Sequence, residues 1–336
     1  MKKYRMLGAV VVAAGIAATP AAAQDWDSVV AAAKKEGTVT VYHAQFGTPH
    51  WRKVIQAFKD KYGIDVKEFD TRASELTERV RVEQTSQHYV ADVEFHGEAT
   101  IGQQRQGNFI AEHGDIPNAA NLRPPFVADK WAVPAWVQVI CPLVNTTLVK
   151  PADEPKVWSD LLDPKWKGRL LSDDMAAIGS GQTTFAAFAK AYGMQFLQKL
   201  KEQNLVFDHD LQQASRRVAR GEYSVLLQQI IAFASPLKGL PVKVVLPEDG
   251  CPYTLIEGAV LNGAPHPNAA RLLINHLLDP QSQLTYAEAW MGITTKGVAD
   301  KLSDPDARRF ADVKLLGTAT LEDREAMQKA ATEMFK

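Results

Sequence analysis

Thr38-Val-Thr-Val-Tyr42, Ile64-Asp-Val-Lys-Glu-Phe69 and Ala91-Asp-Val-Glu-Phe95 are three short, β-branched or aromatic segments with period-two alternation, and each reads as a strand. Between the first two, Trp51, Val54, Ile55, Phe58 and Tyr62 recur at helical spacing behind Pro49, a good first-turn residue, and ahead of Gly63. Between the second and third, Ser74 opens another helix, with Glu78 close behind. Residues 38–95 therefore read β-α-β-α-β. That alternation predicts a parallel sheet with helices on its faces, an α/β fold.

Upstream, Trp26 to Glu36 is an amphipathic helix ended by Gly37. Before it, Lys2, Lys3 and Arg5 precede an unbroken apolar or glycine run from Leu7 to Ala18, and Ala21-Ala22-Ala23 is a small-residue cleavage site. Those three parts predict a secretory signal peptide over 1–23, with a mature chain from Gln24 that works outside the cytoplasm. The apolar run is shorter than the roughly 20 residues a bilayer-spanning helix needs, which argues against a retained anchor.

Hydrophobic residues make up 46% and charged residues 23% of the 336, a globular profile large enough for two lobes with separate cores. Setting aside Lys2, Lys3 and Arg5 leaves 35 basic residues against 39 acidic ones, a net charge of −4. A nucleic-acid partner would need a basic surface, so none is expected. The two cysteines, Cys141 and Cys251, form one disulfide or remain two buried thiols; no zinc-ligand spacing accompanies them.

Downstream the pattern changes. Residues 114–136, rich in Pro, Asn and Trp, read as irregular, and Val137 to Val144 as a buried or crossing strand interrupted by Pro142. A second α/β region follows from Trp158. Its strands are Arg169–Leu171, Tyr223–Leu227, Val242–Leu246 and Gly258–Leu261; its helices are Gln182–Tyr192 and Leu211–Arg220. The remainder is helical over Asn268–Leu278, Gln281–Trp290 and Leu321–Phe335.

This ordered set resembles an ABC-transporter periplasmic solute-binding protein of the type II fold. The likeness is carried by Gly37-Thr-Val-Thr-Val-Tyr42, Phe58 to Val66, Ala91-Asp-Val93, Trp158-Ser-Asp-Leu-Leu-Asp-Pro-Lys-Trp-Lys-Gly-Arg169, Gly221-Glu-Tyr223, Ala264 to Ala270 and Gln281-Ser-Gln283. Taken together they are most similar to the subgroup that includes the ferric-iron-binding proteins. The resemblance implies a two-lobed periplasmic-binding-protein type II fold with two crossing hinge strands: 24–137 plus 255–336 as lobe 1, 138–254 as lobe 2. It also places Cys141 and Cys251 near the two crossing segments, where a disulfide would staple the hinge. The implied partners are a small-molecule ligand and ABC permease subunits, with no cofactor and a monomeric state.

In open α/β sheets, ligands sit beyond the carboxyl ends of the strands. In this sequence those positions are His43 to Gly47 with Gln45 and Phe46, Thr71-Arg-Ala-Ser74, His96-Gly-Glu98, the loop carrying Gly179 and Ser180, then Gln228, Gln229 and, near the hinge, Tyr253. Arg72 beside the helix start at Ser74 would make an anion site, because guanidinium forks and free helix N–H groups suit carboxylate or phosphate oxygens; a solvated surface arginine is the alternative. Gly179-Ser180-Gly181 would supply a facing helix start, or is an ordinary glycine-rich turn. Phe46, Trp136 and Tyr253 would stack on a ligand or pack in the core.

The iron-binding relatives use an adjacent tyrosine pair after their Gly-Glu segment. Here Tyr223 is followed by Leu226-Leu-Gln-Gln229, and no two tyrosines are adjacent. The residues thus favour a small organic, anionic solute over ferric iron, which stands as the alternative of the same fold, with His43 and Glu98 as its ligands. A secreted hydrolase is disfavoured: neither Gly-x-Ser-x-Gly nor His-Glu-x-x-His occurs.

Overall fold

The structure is a computed structural model that describes residues 25–335 apart from Phe46, Arg72 and Ile178; the expected signal peptide over 1–23 lies outside these residues. The first region runs α1 (Trp26–Glu36), β1 (Thr38–His43), α2 (Pro49–Tyr62), β2 (Asp65–Asp70), α3 (Ala73–Thr85), β3 (Val93–Gly97) and α4 (Glu98–Gln106). The long strand β4 (Val133–Asn145) leads to β5 (Leu170–Ser172), α5 (Ser180–Tyr192), α6 (Met194–Lys201), β6 (Val206–Phe207), α7 (Leu211–Ala219), β7 (Val225–Ile230) and β8 (Val242–Val244). The return strand β9 (Cys251–Val260) is followed by α8 (Pro267–Leu277), α9 (Pro280–Glu288), α10 (Pro305–Ala311), β10 (Leu315–Gly317) and α11 (Leu321–Phe335).

The strand order is β2-β1-β3-β9-β4-β7-β5-β6, with β10 on β9 and β8 on β4. β1 pairs in parallel with β2 and β3, and β5 in parallel with β6 and β7. β4 and β9 are antiparallel to each other and join these two parallel halves. One buried core runs from the helices around β1–β3 through the hinge to α7. A second lies under α5 and α6, where Trp158, Phe185, Phe188 and Leu197 pack together. Trp158 is stitched in by its indole N–H, which donates to the Gly250 carbonyl at 2.7 Å.

β9 is one continuous strand from Cys251; the residues alone predict only its end, Gly258–Leu261, while the resemblance puts the second crossing segment at 250–257, which this strand occupies. Pro252 is tolerated because it sits in the first residues of β9, where a missing N–H costs little. Pro142 is tolerated inside β4 for a related reason: the ladder to β7 shifts register between Cys141 and Leu143, a bulge-like break that needs no donor there. The helix α4 has no counterpart in the sequence reading, since Glu-Ala-Thr-Ile-Gly-Gln-Gln-Arg-Gln shows little amphipathic period and carries a central glycine.

Cys141 and Cys251 are bonded, with S–S 2.02 Å and Cα–Cα 5.4 Å, and both are fully buried. The bond ties the two long strands where β4 turns from β9 toward β7. Because it closes a loop of 110 residues, the double variant Cys141→Ser/Cys251→Ser should lose about 2–5 kcal/mol of stability, read as a lower urea midpoint with intact far-ultraviolet dichroism.

Two acidic side chains lie inside the β3–β9 seam. Glu94 is fully buried; its Oε2 accepts from Gln104 Nε2 at 3.1 Å and its Oε1 has no partner among the described residues. Glu257 stands opposite His96. Burial pushes the Glu94 carboxyl up to about 8, and burial together with the charges of Glu98 and Asp129 does the same for Glu257. The folded chain therefore holds protons that the unfolded chain has released. Their contribution to stability is full below the ordinary carboxylate range and is lost as pH rises through about 8. Calorimetric melting temperature should fall between pH 5 and pH 8.5, and Glu94→Gln should flatten that fall; an unchanged slope in the variant would refute the assignment.

Candidate functional site

A cleft of about 130 Å³ opens at the carboxyl ends of β1 and β3, between the first region and the start of α5. One wall is Gln45 after β1, Ala73 at the start of α3, and His96-Gly97-Glu98 leading into α4. The floor is Gln138 from β4 with Thr254 and Ile256 from β9. The opposite wall is Gly179, Ser180, Gln182 and Thr183, and Thr318, Ala319 and Arg324 from the C-terminal segment complete the rim. Across the floor the hydroxyls of Thr183 and Thr254 approach to 3.3 Å.

His96 is buried in this wall. Its Nε2 lies 3.0 Å from the Ala73 carbonyl and its Nδ1 accepts from the Gly97 N–H at 2.9 Å, so Nε2 carries the hydrogen. Burial holds it at about 4, against the lesser opposing effect of that carbonyl, and the ring is a neutral spacer at physiological pH. Glu98 is half-buried and its Oε2 has no hydrogen-bond partner among the described residues. Burial raises its carboxyl, and the charge of Asp323 adds to the effect.

Arg324 is the cation of the cleft. Among the described residues its Nη1 and Nη2 donate only to Thr100 Oγ1, at 3.4 and 3.3 Å, and no carboxylate lies within 4.0 Å of it. Its neighbour Asp323 is already engaged by Lys190 Nζ at 2.8 Å and by Thr320. Burial lowers the guanidinium from its ordinary range, the mark of a charge short of solvent and of counter-ion.

The amino end of α5 is satisfied internally. Asp173 accepts from the Ser180 hydroxyl at 2.5 Å and from the Gly181 N–H at 3.0 Å. Gly181 is required there, because a Cβ would fall 2.0 Å from the Asp174 carbonyl oxygen. The loop 173–176 thus packs directly beneath the start of α5, and a carboxylate of the chain itself occupies the anion position expected at this helix start.

Of the candidates read from the sequence, Gln45, Glu98, Gly179 and Ser180 line the cleft, and Thr71, Ser74, Gln228 and Tyr253 do not. Thr71 Oγ1 donates to Glu75, and Ser74 faces a separate surface hollow beside Phe69 and Val82. Gln228 is fully buried, and its Oε1 accepts from Ser172 Oγ at 3.2 Å and from the Asp173 N–H at 3.0 Å. Tyr253 meets Phe126 edge-on, 6.2 Å between ring centres, and its hydroxyl is raised by burial and then by the charge of Glu98. Trp136 is a core residue, packed on Trp51, Phe95 and Tyr286. Phe46 and Arg72 lie outside the described residues. His43 is buried between Glu68 at 2.9 Å and Asp70 at 3.4 Å, away from the cleft. Among the described residues, no three His, Cys, Asp or Glu side chains are grouped to share a metal ion.

Sequence reasoning did not find Arg324, Thr183, Thr254 or Gln138. Gln138 and Thr254 belong to crossing strands, which a rule built on strand ends passes over. Arg324 sits on a C-terminal helix that no local signal connects to a cleft.

An uncharacterized protein of Haemophilus influenzae is 27% identical over 246 residues, 68% of this chain and 69% of its own. A Salmonella typhimurium protein provisionally named as 2-aminoethylphosphonate-binding and periplasmic is 25% identical over 284 residues, 78% of this chain and 80% of its own. Among solved structures, iron-bound HitA from Pseudomonas aeruginosa superposes with a TM-score of 0.72 at 19% identity, over 88% of this chain and 99% of that one. The two-lobed periplasmic-binding-protein fold is therefore shared at low identity. The family model for bacterial extracellular solute-binding proteins matches residues 93–317, which include both crossing strands and most of the cleft. The chain belongs to the bacterial extracellular solute-binding proteins, the binding components of ABC transporters rather than enzymes.

Proposed function

We propose that this chain is the periplasmic receptor of an ABC import system and that its cleft takes a small organic acid that also carries an amino group. The observation that carries the reading is the uncompensated Arg324 guanidinium in the cleft. A guanidinium fork suits the oxygens of a phosphonate, phosphate ester or carboxylate. Glu98, with one carboxylate oxygen buried and unpartnered, suits an ammonium group. Thr183, Thr254, Gln45 and Gln138 supply neutral donors and acceptors for the rest of the solute. Arg72 and Phe46, adjacent in sequence to the cleft residues Ala73 and Gln45, are proposed as further contacts.

The proposed lobes are 24–137 plus 255–336 and 138–254, hinged on β4 and β9, with α11 reaching across to pack on the second core. The work of the protein is binding, lobe closure and presentation to permease subunits, as a monomer and without bond chemistry. The name of the Salmonella relative makes 2-aminoethylphosphonate the first compound to try.

Titration calorimetry and thermal shift with 2-aminoethylphosphonate, ethylphosphonate, amino acids, sugar phosphates and ferric citrate test this reading. A true solute at about 100 times its Kd should add about 2.7 kcal/mol of stability. Glu98→Gln should weaken 2-aminoethylphosphonate about 10-fold or more, the scale of one charge-assisted hydrogen bond, and leave ethylphosphonate unchanged. Binding of ferric citrate alone, with no response to any organic anion, would overturn the solute class.

A further inference from the structure

α11 is rooted on the second core. Ala331 is fully buried, and Phe335 meets Phe185 and Phe207 edge-on with ring centres 6.1 and 5.9 Å apart. Gln328 bonds Gln182 and donates to the Ala176 carbonyl at 3.0 Å. Lys190 of α5 holds Asp323 at 2.8 Å. The first turn of the same helix lies against the other side of the cleft. Leu321 covers Gly102 of α4 so closely that a Cβ at Gly102 would come within 3.3 Å of the Leu321 Cβ. Arg324 reaches Thr100 of the same α4.

α11 is therefore a third bridge between the two sides. β4 and β9 are joined by a backbone ladder with one register shift, whereas the α4–α11 contact is made of side chains. In this structure that contact leaves the guanidinium half-buried. Among the described residues Arg324 donates to Thr100, a weak acceptor, the His96 ring is neutral, and Glu98 of the same cleft is not within ion-pair distance of it. Asp323 is spent on Lys190 and Thr320. A charge taken out of water with no counter-charge opposes whatever movement buries it. An anion in the cleft supplies the counter-charge and removes that opposition.

We propose that Arg324, carried on the bridging helix α11, is the selectivity gate of this protein: it keeps the empty lobes apart and lets them close around an anion. The inference rests on the cleft being the solute site. It separates two functions of one arginine, since direct contact raises affinity while desolvation without a partner suppresses closure over an empty or cation-filled cleft. Selectivity then comes from a penalty against wrong occupants as well as from attraction to the right one.

Small-angle X-ray scattering on the full mature chain tests it, using wild type, Arg324→Met and Arg324→Lys with and without 2-aminoethylphosphonate or inorganic phosphate. Wild type and Arg324→Lys should be extended when empty, and wild type should compact with the anion that binds. Arg324→Met, which keeps the stem and removes the charge, should be compact when empty and change no further. The gate is refuted if empty Arg324→Met is as extended as empty wild type, or if empty wild type is already as compact as the variant. Should Arg324→Met fail to fold, Thr100→Val carries the test, since removing the last acceptor should raise the anion concentration that half-closes the protein at least threefold, and an unchanged midpoint would refute the gate. If no anion compacts wild type while empty Arg324→Met still closes, the proposed solute class falls and the gate stands.

Discussion

The β4–β9 ladder is the constraint on which the rest of this molecule depends. β4 pairs with β9 over Val133–Val139 and with β7 and β8 over Ile140–Asn145, so a single strand serves both halves of the sheet. β9 pairs with β4 in its middle and with β3 at its end, and so ties the first half to β4. Each half needs these strands to satisfy backbone groups that would otherwise be buried unpaired. The two halves are therefore joined through the ladder, and the Cys141–Cys251 bond ties its two strands where β4 passes from β9 to β7.

That arrangement decides the chemistry of the cleft. Strand ends from the first half and the start of α5 face one another only because the ladder brings them together, and groups placed there lose solvent. His96 responds by staying neutral, and Glu98 by a raised carboxyl. Arg324 cannot neutralise within the physiological range and keeps its charge. A permanent cation facing the half-buried Glu98 carboxyl gives the cleft two chemically different ends toward an incoming ligand. The carboxylate of Asp173 at the start of α5 narrows this further, because it removes a second anion position and leaves the side near α4 and α11 as the receiving end.

Much of the fold was legible in the residues. The spacing of Trp51, Val54, Ile55 and Phe58, the alternation in β1 and β3, and the ordered segments from Trp158 to Gln283 led to a two-lobed α/β receptor, and the shared fold and family match agree. The long strands were read only in part, because Pro142 and Pro252 look like strand breakers until a register shift and a strand start accommodate them. The helix α4 was passed over because its nine residues are stabilised by tertiary contact, with Ile101 in the core and Gly102 under Leu321, and not by their own periodicity.

By itself the sequence determined the period of each element, and hence which faces must be buried, and the types of residue at strand ends. These are local properties, set by side-chain geometry over a few residues. Tertiary structure alone decided that Gln138 and Thr254 of the crossing strands share a cleft with His96, and that Arg324, 226 positions beyond Glu98, stands among them with no ion pair among the described residues. Charge compensation is a property of what lies within a few ångströms in space, and no spacing along the chain encodes it.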